Sequence, residues 1–155
     1  MSEARNGTGA HRYFWHYTVG AKMRLIESSG VLKPAVAFVP AGEIPVVWFS
    51  SRQVWEPTAN KMVALGNGQL VVLNFSETTS QLGGGFRFGL PAHQLLPWRH
   101  LRNAARISAA TQAQLTQSAR RQGADPSSWA GALEAVPVAA CRIERLVGLS
   151  WELLT

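Results

Sequence analysis

A histidine inside an aromatic segment is the first side chain of this sequence that could do chemistry. His16 lies between Trp15 and Tyr17, and the hydroxyl of Thr18 follows. In a crevice an imidazole can donate to a ribose hydroxyl or a carbonyl, while a neighbouring aromatic ring stacks on a planar base. This segment therefore predicts either part of a nucleotide site or a hydrogen-bonded structural histidine.

A second group of polar side chains ends a hydrophobic block. Ser50 follows Trp48 and Phe49, and Glu56 comes six residues after Ser50. A hydroxyl and a carboxylate at one rim can orient a substrate hydroxyl or stabilise a cationic transition state, as carboxylates do in glycosyl transfer. Because Glu56 precedes Pro57, which suits a first helical position, its role is equally that of a carboxylate at a helix start.

Polar residues near the C-terminus form the third group. Arg142 and Glu144 share a face if the segment is a strand, which predicts a solvated ion pair beside Arg145. Cys141 is the only cysteine, so an intramolecular disulfide and a cysteine-rich zinc site are excluded. It is either a small buried residue or the nucleophile of a Cys-His pair. The four histidines show no metal-binding spacing, so we predict no metal site.

The elements that must position these side chains follow from residue types and periodicity. Residues 13–18 are rich in aromatic residues and predict a strand. The apolar spacing over residues 19–26 predicts a helix, with Thr18 as its N-terminal cap and Gly30 at its C-terminal end. Residues 45–50 form a continuous apolar block, which predicts a central strand covered on both faces.

The rest of the chain alternates turn residues with short apolar segments. We predict further strands at 70–75, 86–90, 136–147 and 150–154, a polar loop at 76–80, a short helix after Asp125, and helices within 95–122 broken near 106–108. In the strand at 86–90, Arg87 is predicted on the face opposite the two phenylalanines. Since strands and helices are not strictly interleaved, the predicted class is α+β, with small mixed or antiparallel sheets and flanking helices.

Composition limits the architecture and the partners. The chain has 155 residues, of which 46% are hydrophobic and 15% charged, so we predict a disordered tail over residues 1–11 and a single globular domain over residues 12–155. The net charge of +6 either favours an anionic partner or only keeps the protein in solution. The cysteine count and the lack of a long apolar stretch predict a cytoplasmic protein with no membrane partner. Export by a dedicated secretion machine that needs no signal peptide is the alternative.

Three segments taken together resemble a known superfamily. They are the strand Phe14-Trp15-His16-Tyr17-Thr18, the helix pattern Met23-x-x-Ile26-x-x-x-Gly30-x-Leu32-x-Pro34, and the strand Val46-Val47-Trp48-Phe49-Ser50. This order looks like the opening of ADP-ribosyltransferase-like folds. The likeness is to the branch with a first-strand histidine, which includes DNA-modifying transferase toxins and the tRNA 2'-phosphotransferases.

The resemblance implies NAD as a substrate and a role for each matching residue. His16 and Thr18 would hold the NAD ribose or amide, an aromatic residue would pack on the nicotinamide, and Glu56 or Glu144 would assist its departure. This chain has Trp48, Phe49 and Ser50 where a tyrosine is often found. The implied catalytic residues are His16, Ser50, Glu56 and Glu144, and the implied NAD-binding residues are His16, Tyr17, Thr18, Trp48 and Phe49.

Two functions from different classes follow. The resemblance implies transfer of ADP-ribose to a protein or nucleic-acid acceptor, with an antitoxin or immunity partner if the protein is a toxin. The charge implies instead a non-catalytic binding module for nucleic acid or a protein partner. Its basic face would consist of Arg87, Arg99, Arg102, Arg106, Arg120 and Arg121.

Overall fold

The computed structural model describes residues 13–154, which form helices and antiparallel sheets. The predicted tail over residues 1–11 lies outside the described residues. The strands are β1 Tyr13–Val19, β2 Val31–Leu32, β3 Val47–Ser50, β4 Met62–Ala64, β5 Leu70–Val72, β6 Gly85–Pro91, β7 Leu96–Pro97, β8 Trp129–Ala132, β9 Val136–Pro137, β10 Arg142–Val147 and β11 Ser150–Leu153. The α-helices are α1 Gly20–Ser29, α2 Phe75–Gln81, α3 Trp98–Ala104 and α4 Ala109–Arg121. The predicted α+β class with antiparallel sheets is therefore confirmed.

Seven strands form the main sheet, in the order β11-β10-β6-β1-β3-β8-β7. Each neighbouring pair in it is antiparallel. The predicted strands at 13–18 and 45–50 correspond to β1 and β3, and both have neighbours on two sides. The central position predicted for the second strand is therefore confirmed, although it begins at Val47 rather than residue 45.

The two faces of this sheet carry different clusters. Phe49 and Phe88 belong to the largest apolar cluster, together with Met23 of α1. Trp15 and Tyr17 belong to a cluster on the other face of β1. The two faces arise from the alternation of side chains along each strand.

The junction between β1 and α1 differs from the prediction. The helix cap is Val19, whose side chain makes no capping hydrogen bond, so the predicted cap by Thr18 is wrong. Thr18 is still within β1 and is buried in the sheet, because the strand continues for one more residue. The backbone N–H of Gly20 instead donates to the carbonyl of Gly84, at 2.9 Å. Gly30 ends α1 with φ of 72°, as predicted.

Gly20 is also the point of closest approach between α1 and the loop before β6. A Cβ at Gly20 would lie 2.0 Å from the carbonyl oxygen of Gly83. We expect Gly20→Ala to lower the free energy of unfolding by about 1–3 kcal/mol, because a backbone segment must move to make room. Urea denaturation measures this change. Gly66→Ala is the matched control, since a Cβ there meets no atom within 4 Å, and equal stability of the two variants would contradict the expectation.

The segment after β5 is a helix rather than the predicted strand and loop. Strand β5 ends at Val72, and α2 occupies residues 75–81. The side chain of Asn74 accepts from the Glu77 N–H at 2.8 Å, and the Glu77 side chain accepts from the Asn74 N–H at 3.0 Å. This reciprocal capping box stabilises the first turn of a short helix that has little apolar periodicity.

The C-terminal half agrees with the prediction in part. The helix break near residue 106 is confirmed, since α3 and α4 are separate and Ser108 caps α4. A 3₁₀ turn replaces the short helix predicted after Asp125, and β8, which was not predicted, follows it. The predicted strand at 136–147 is divided by a further 3₁₀ turn into β9 and β10, whereas β11 is confirmed. Among residues 13–154, none of the helices has the length and apolar character needed to cross a bilayer.

Candidate functional site

A cleft opens between the adjacent strands β1 and β3. Strand β1 pairs with β6 at seven positions, whereas its register with β3 consists of the pair Trp15 and Ser50. Beyond that pair the two strands diverge. A cavity of about 440 Å³ lies at the divergence and is lined by residues from both strands. Its volume is within the range of small-molecule sites, roughly 300–1,000 Å³.

His16 bridges the gap between the two strands. Its Nδ1 lies 2.7 Å from the carbonyl oxygen of Trp48. A carbonyl can only accept a hydrogen bond, so Nδ1 carries the hydrogen and the neutral ring presents Nε2 as an acceptor. Within residues 13–154, Nε2 has no hydrogen-bond partner and is not a buried atom. His16 thus makes a structural hydrogen bond and also offers a free acceptor in the cleft.

The surroundings of His16 favour its neutral form. Burial lowers the pKa of His16 below its usual 6.5, and the charge of Lys61 lowers it further. The hydrogen bond to Trp48 acts in the opposite direction but is outweighed. At neutral pH Nε2 can therefore accept a hydrogen bond in the cleft, whereas donation from Nε2 to a ligand would require the protonated ring.

Ser50 and Glu56 form a buried pair on the same cavity. Ser50 Oγ donates to Glu56 Oε2 at 2.7 Å and accepts from the Arg52 N–H at 3.1 Å. Oε1 of Glu56 accepts from the N–H of Thr58 at 3.3 Å and from its hydroxyl at 2.7 Å. Nε1 of Trp129 donates to the same oxygen at 3.3 Å. Glu56, only 6% exposed, is thus held by four donors.

The carboxylate of Glu56 has no cationic partner in the described part of the chain. Every donor that holds it is neutral, and the ion pairs within residues 13–154 involve other side chains. Glu56 does cap the 3₁₀ turn Pro57–Ala59, so the predicted helix start at Pro57 is confirmed as a single turn. Because the carboxylate also lines the cavity, its unneutralised charge is available to a cationic group placed there.

Aromatic rings form much of the cavity wall. The rings of Trp48 and Trp129 have centroids 5.6 Å apart in an edge-on arrangement. Phe49 lies behind His16, with ring centroids 5.8 Å apart. Trp15 and Tyr17 also line the cavity. Such walls suit a planar heterocycle, which packs by stacked or edge contacts.

Glu144, the other candidate carboxylate, lies elsewhere. It accepts from Nε of Arg87 at 2.9 Å and from Nε of Arg142 at 2.7 Å. The predicted ion pair of Arg142 and Glu144 is therefore present, but Glu144 is only 6% exposed, so the solvated environment predicted for it is wrong. The reason is the register of β10 on β6, which places Glu144 directly opposite Arg87. Glu144 is not among the residues that line the cavity.

Arg87 is enclosed by aromatic rings and is unavailable to a basic surface. Its guanidinium lies 3.8 Å from the centroid of the Trp15 ring and 4.6 Å from that of Trp151. It is 7% exposed, so its inclusion in the basic face is wrong. It does lie on the sheet face opposite Phe86 and Phe88, as predicted.

No protein-family model, curated protein or solved structure matches the chain. The cleft is therefore the feature of this protein that points to a function. It brings together the predicted residues His16, Tyr17, Trp48, Phe49, Ser50 and Glu56. Thr18 lies outside this cavity, in an adjoining groove.

The lining residues that were not predicted as part of a site include Thr58, Trp129 and Lys61. Thr58 follows Glu56 by two positions, a spacing typical of a local cap, so its signal was present in the sequence. Trp129 gave no signal, because the Trp-Ala-Gly-Ala segment of β8 lacks a strand pattern. Lys61 gave none either, since it lies in the irregular segment before β4.

The remaining candidates do not form a second site. Cys141 is partly buried, and burial raises the pKa of its thiol to about 11, which keeps it protonated and a weak nucleophile. His93 and His100 are exposed, and His11 lies outside the described residues. Residues 13–154 contain no group of three or more His, Cys, Asp or Glu side chains placed to hold a metal ion.

Proposed function

We propose that this protein binds NAD in the cleft and transfers its ADP-ribose to a protein or nucleic-acid acceptor. The observation that carries the proposal is the buried Ser50–Glu56 pair, whose carboxylate has no cationic partner among the described residues and faces the same cavity as Nε2 of His16. The sequence resemblance to ADP-ribosyltransferase-like proteins supports it independently.

The proposed reaction begins with cleavage of the bond between the nicotinamide nitrogen and C1 of the ribose. The bonding electrons go to nicotinamide, which leaves neutral, and positive charge develops on the ribose. Glu56 stabilises this oxocarbenium-like state, because a carboxylate in a water-poor site interacts strongly with developing positive charge. A nucleophile of the acceptor then bonds to C1 and loses its proton.

The other residues of the cleft bind and orient the substrate. Nε2 of His16 accepts a hydrogen bond from a ribose hydroxyl, and the aromatic walls pack on the nicotinamide ring. Ser50 holds the Glu56 carboxylate in place. Glu144 is less suited to the catalytic role, because Arg87 and Arg142 already neutralise its charge.

The competing function is a basic binding module without catalysis. Five of its proposed arginines are exposed on or near α3 and α4, namely Arg99, Arg102, Arg106, Arg120 and Arg121. Such a module would bind nucleic acid with an affinity that falls steeply with salt and is independent of His16. An antitoxin or immunity partner remains an expectation of the first proposal.

Nicotinamide release from NAD tests the proposal. We expect wild-type protein to release nicotinamide and His16→Ala to slow release about tenfold to a hundredfold, the effect of losing one hydrogen bond in a buried site. The wild-type rate should be constant around neutral pH and fall only below pH 6.5, because the lowered pKa of His16 keeps its acceptor free above that value.

The exposed His93 provides the control for this test. His93→Ala should release nicotinamide at the wild-type rate. The proposal is refuted if wild-type protein neither binds NAD by calorimetry nor releases nicotinamide. If the His16→Ala variant releases nicotinamide at the wild-type rate, His16 is not part of the active site.

A further inference from the structure

A second groove adjoins the cleft. It has a volume of about 560 Å³ and is lined mainly by α1, by β2 and by Lys61. The groove and the cleft share His16, Ala35 and Lys61 as lining residues, so they meet at these side chains. A ligand larger than one ring system can therefore extend from one into the other.

All three lysines of the sequence line this groove. They are Lys22, Lys33 and Lys61, whereas every other basic side chain except the histidines is an arginine. None of the described lining residues is Asp or Glu. Nor does any of the three lysines form an ion pair within residues 13–154. The groove therefore concentrates positive charge without a counter-charge from the described protein.

The charge of one of these lysines acts on another. Burial lowers the pKa of Lys61, and the charge of Lys22 lowers it further. Both lysines are on anchored backbone. The N–H of Lys61 is held by the hydroxyl of Thr78 at 3.2 Å, and Lys22 lies in the first turn of α1, two residues after Gly20. An anion bound between the two ammonium groups would relieve this repulsion.

We propose that this groove binds the diphosphate of a dinucleotide whose nicotinamide end occupies the cleft. The inference rests on the proposed function and adds the subsite that selects a diphosphate. The charges of the protein are complementary to those of the dinucleotide along its length. The Glu56 carboxylate lies in the cleft, where the cationic nicotinamide would bind, and the lysines lie in the groove, where the anionic diphosphate would bind. Ammonium groups bind phosphate as compact point charges.

Calorimetry with ADP, NAD and nicotinamide riboside tests this proposal, since only the last lacks phosphate. We expect Lys22→Met to weaken binding of ADP and NAD about tenfold, and Lys22→Met/Lys61→Met to weaken it further. Binding of nicotinamide riboside should be unchanged in Lys22→Met, because Lys22 does not line the cleft. Arg24→Met, which makes the same charge change on α1 at an exposed residue outside the groove, should leave all three affinities unchanged.

The result separates this subsite from the proposed reaction. Lysine-dependent binding of ADP without nicotinamide release would refute the reaction and support the anion site. If the Lys22→Met variant, altered at an exposed residue, releases nicotinamide and binds NAD with unaltered affinity, the diphosphate subsite is refuted and the proposed reaction is supported. A short single-stranded oligonucleotide that displaces ADP and binds more tightly than NAD would assign the groove to nucleic acid and overturn the proposal.

Discussion

Glu56→Gln is expected to slow nicotinamide release by a factor of about 10²–10³ or more, because the developing ribose cation loses the carboxylate that stabilises it. The variant should remain folded. The amide oxygen of Gln can accept from Thr58 and Trp129 as Oε1 does, and its NH₂ group can donate to Ser50 Oγ, which has a free lone pair. Binding of NAD should weaken much less than turnover, because only the attraction of Glu56 for the nicotinamide cation is lost from the bound state, so most of the loss falls on kcat.

Two further variants test whether the loss of rate comes from the charge of the Glu56 carboxylate. Ser50→Ala removes one donor to the carboxylate but keeps its charge, so we expect a smaller loss than for Glu56→Gln. Glu152→Gln is the matched control at an exposed glutamate and should retain the wild-type rate. Turnover of NAD, with calorimetry to measure its binding, distinguishes the three. A fully active Glu56→Gln variant would exclude Glu56 as the catalytic carboxylate.

Glu144→Gln is expected to cost stability rather than chemistry, by about 3–5 kcal/mol of unfolding free energy. The change leaves the guanidinium of Arg87 buried and without its anionic partner, since both groups are less than 10% exposed. Arg87→Met leaves Glu144 with the partly exposed Arg142 as its remaining ion-pair partner, so this variant should also have a lower free energy of unfolding. Because the two residues interact directly, the double variant Arg87→Met/Glu144→Gln should lose less than the sum of the single changes.

Arg145→Met provides the control for this pair. Arg145 is exposed on β10 beside Glu144, and a surface charge of this kind contributes little. Urea denaturation at neutral pH measures all four free energies of unfolding. Additive losses in the double variant would show that the ion pair does not couple the two residues.

The same pair makes stability depend on pH in the acid range. Burial by itself raises the pKa of Glu144, but the hydrogen bonds and charges of Arg142 and Arg87 outweigh it, and the pKa lies below its usual 4.5. The unfolded chain therefore binds a proton at a pH where folded Glu144 is still ionised. This stabilisation is present above about pH 4.5 and is lost as the pH falls through the folded pKa. Glu144→Gln should lack this part of the acid dependence.

Local sequence patterns were sufficient to predict the strands and the helix that flank the cleft. The aromatic segment of β1, the apolar block of β3 and the left-handed Gly30 at the end of α1 each depend on residues a few positions apart. These preferences come from side-chain shape and backbone conformation, so they can be recognised without the fold. Segment 75–81 shows the limit: its capping box was visible as Asn74 and Glu77, but apolar periodicity alone predicted a loop.

Contacts between distant segments could not be predicted in this way. Trp129 reaches Glu56 across 73 positions of sequence, and Arg87 reaches Glu144 across 57. Both contacts depend on strand register, which pairs β8 with β3 and β10 with β6. The sequence contained Glu56 and Glu144 as equal candidates, and only this pairing added Trp129 to the donors of Glu56 and placed Arg87 against Glu144.

By itself the sequence determined that His16 lies in a strand before a helix, and that Ser50 ends a second strand. Tertiary structure decided that these strands diverge beyond Trp15 and Ser50, so that His16 spans the gap and the cavity opens beside Glu56. It also decided that the three lysines of the chain line one groove. The physical reason is that strand identity depends on neighbouring residues, whereas divergence, burial and charge proximity depend on which segments pack together.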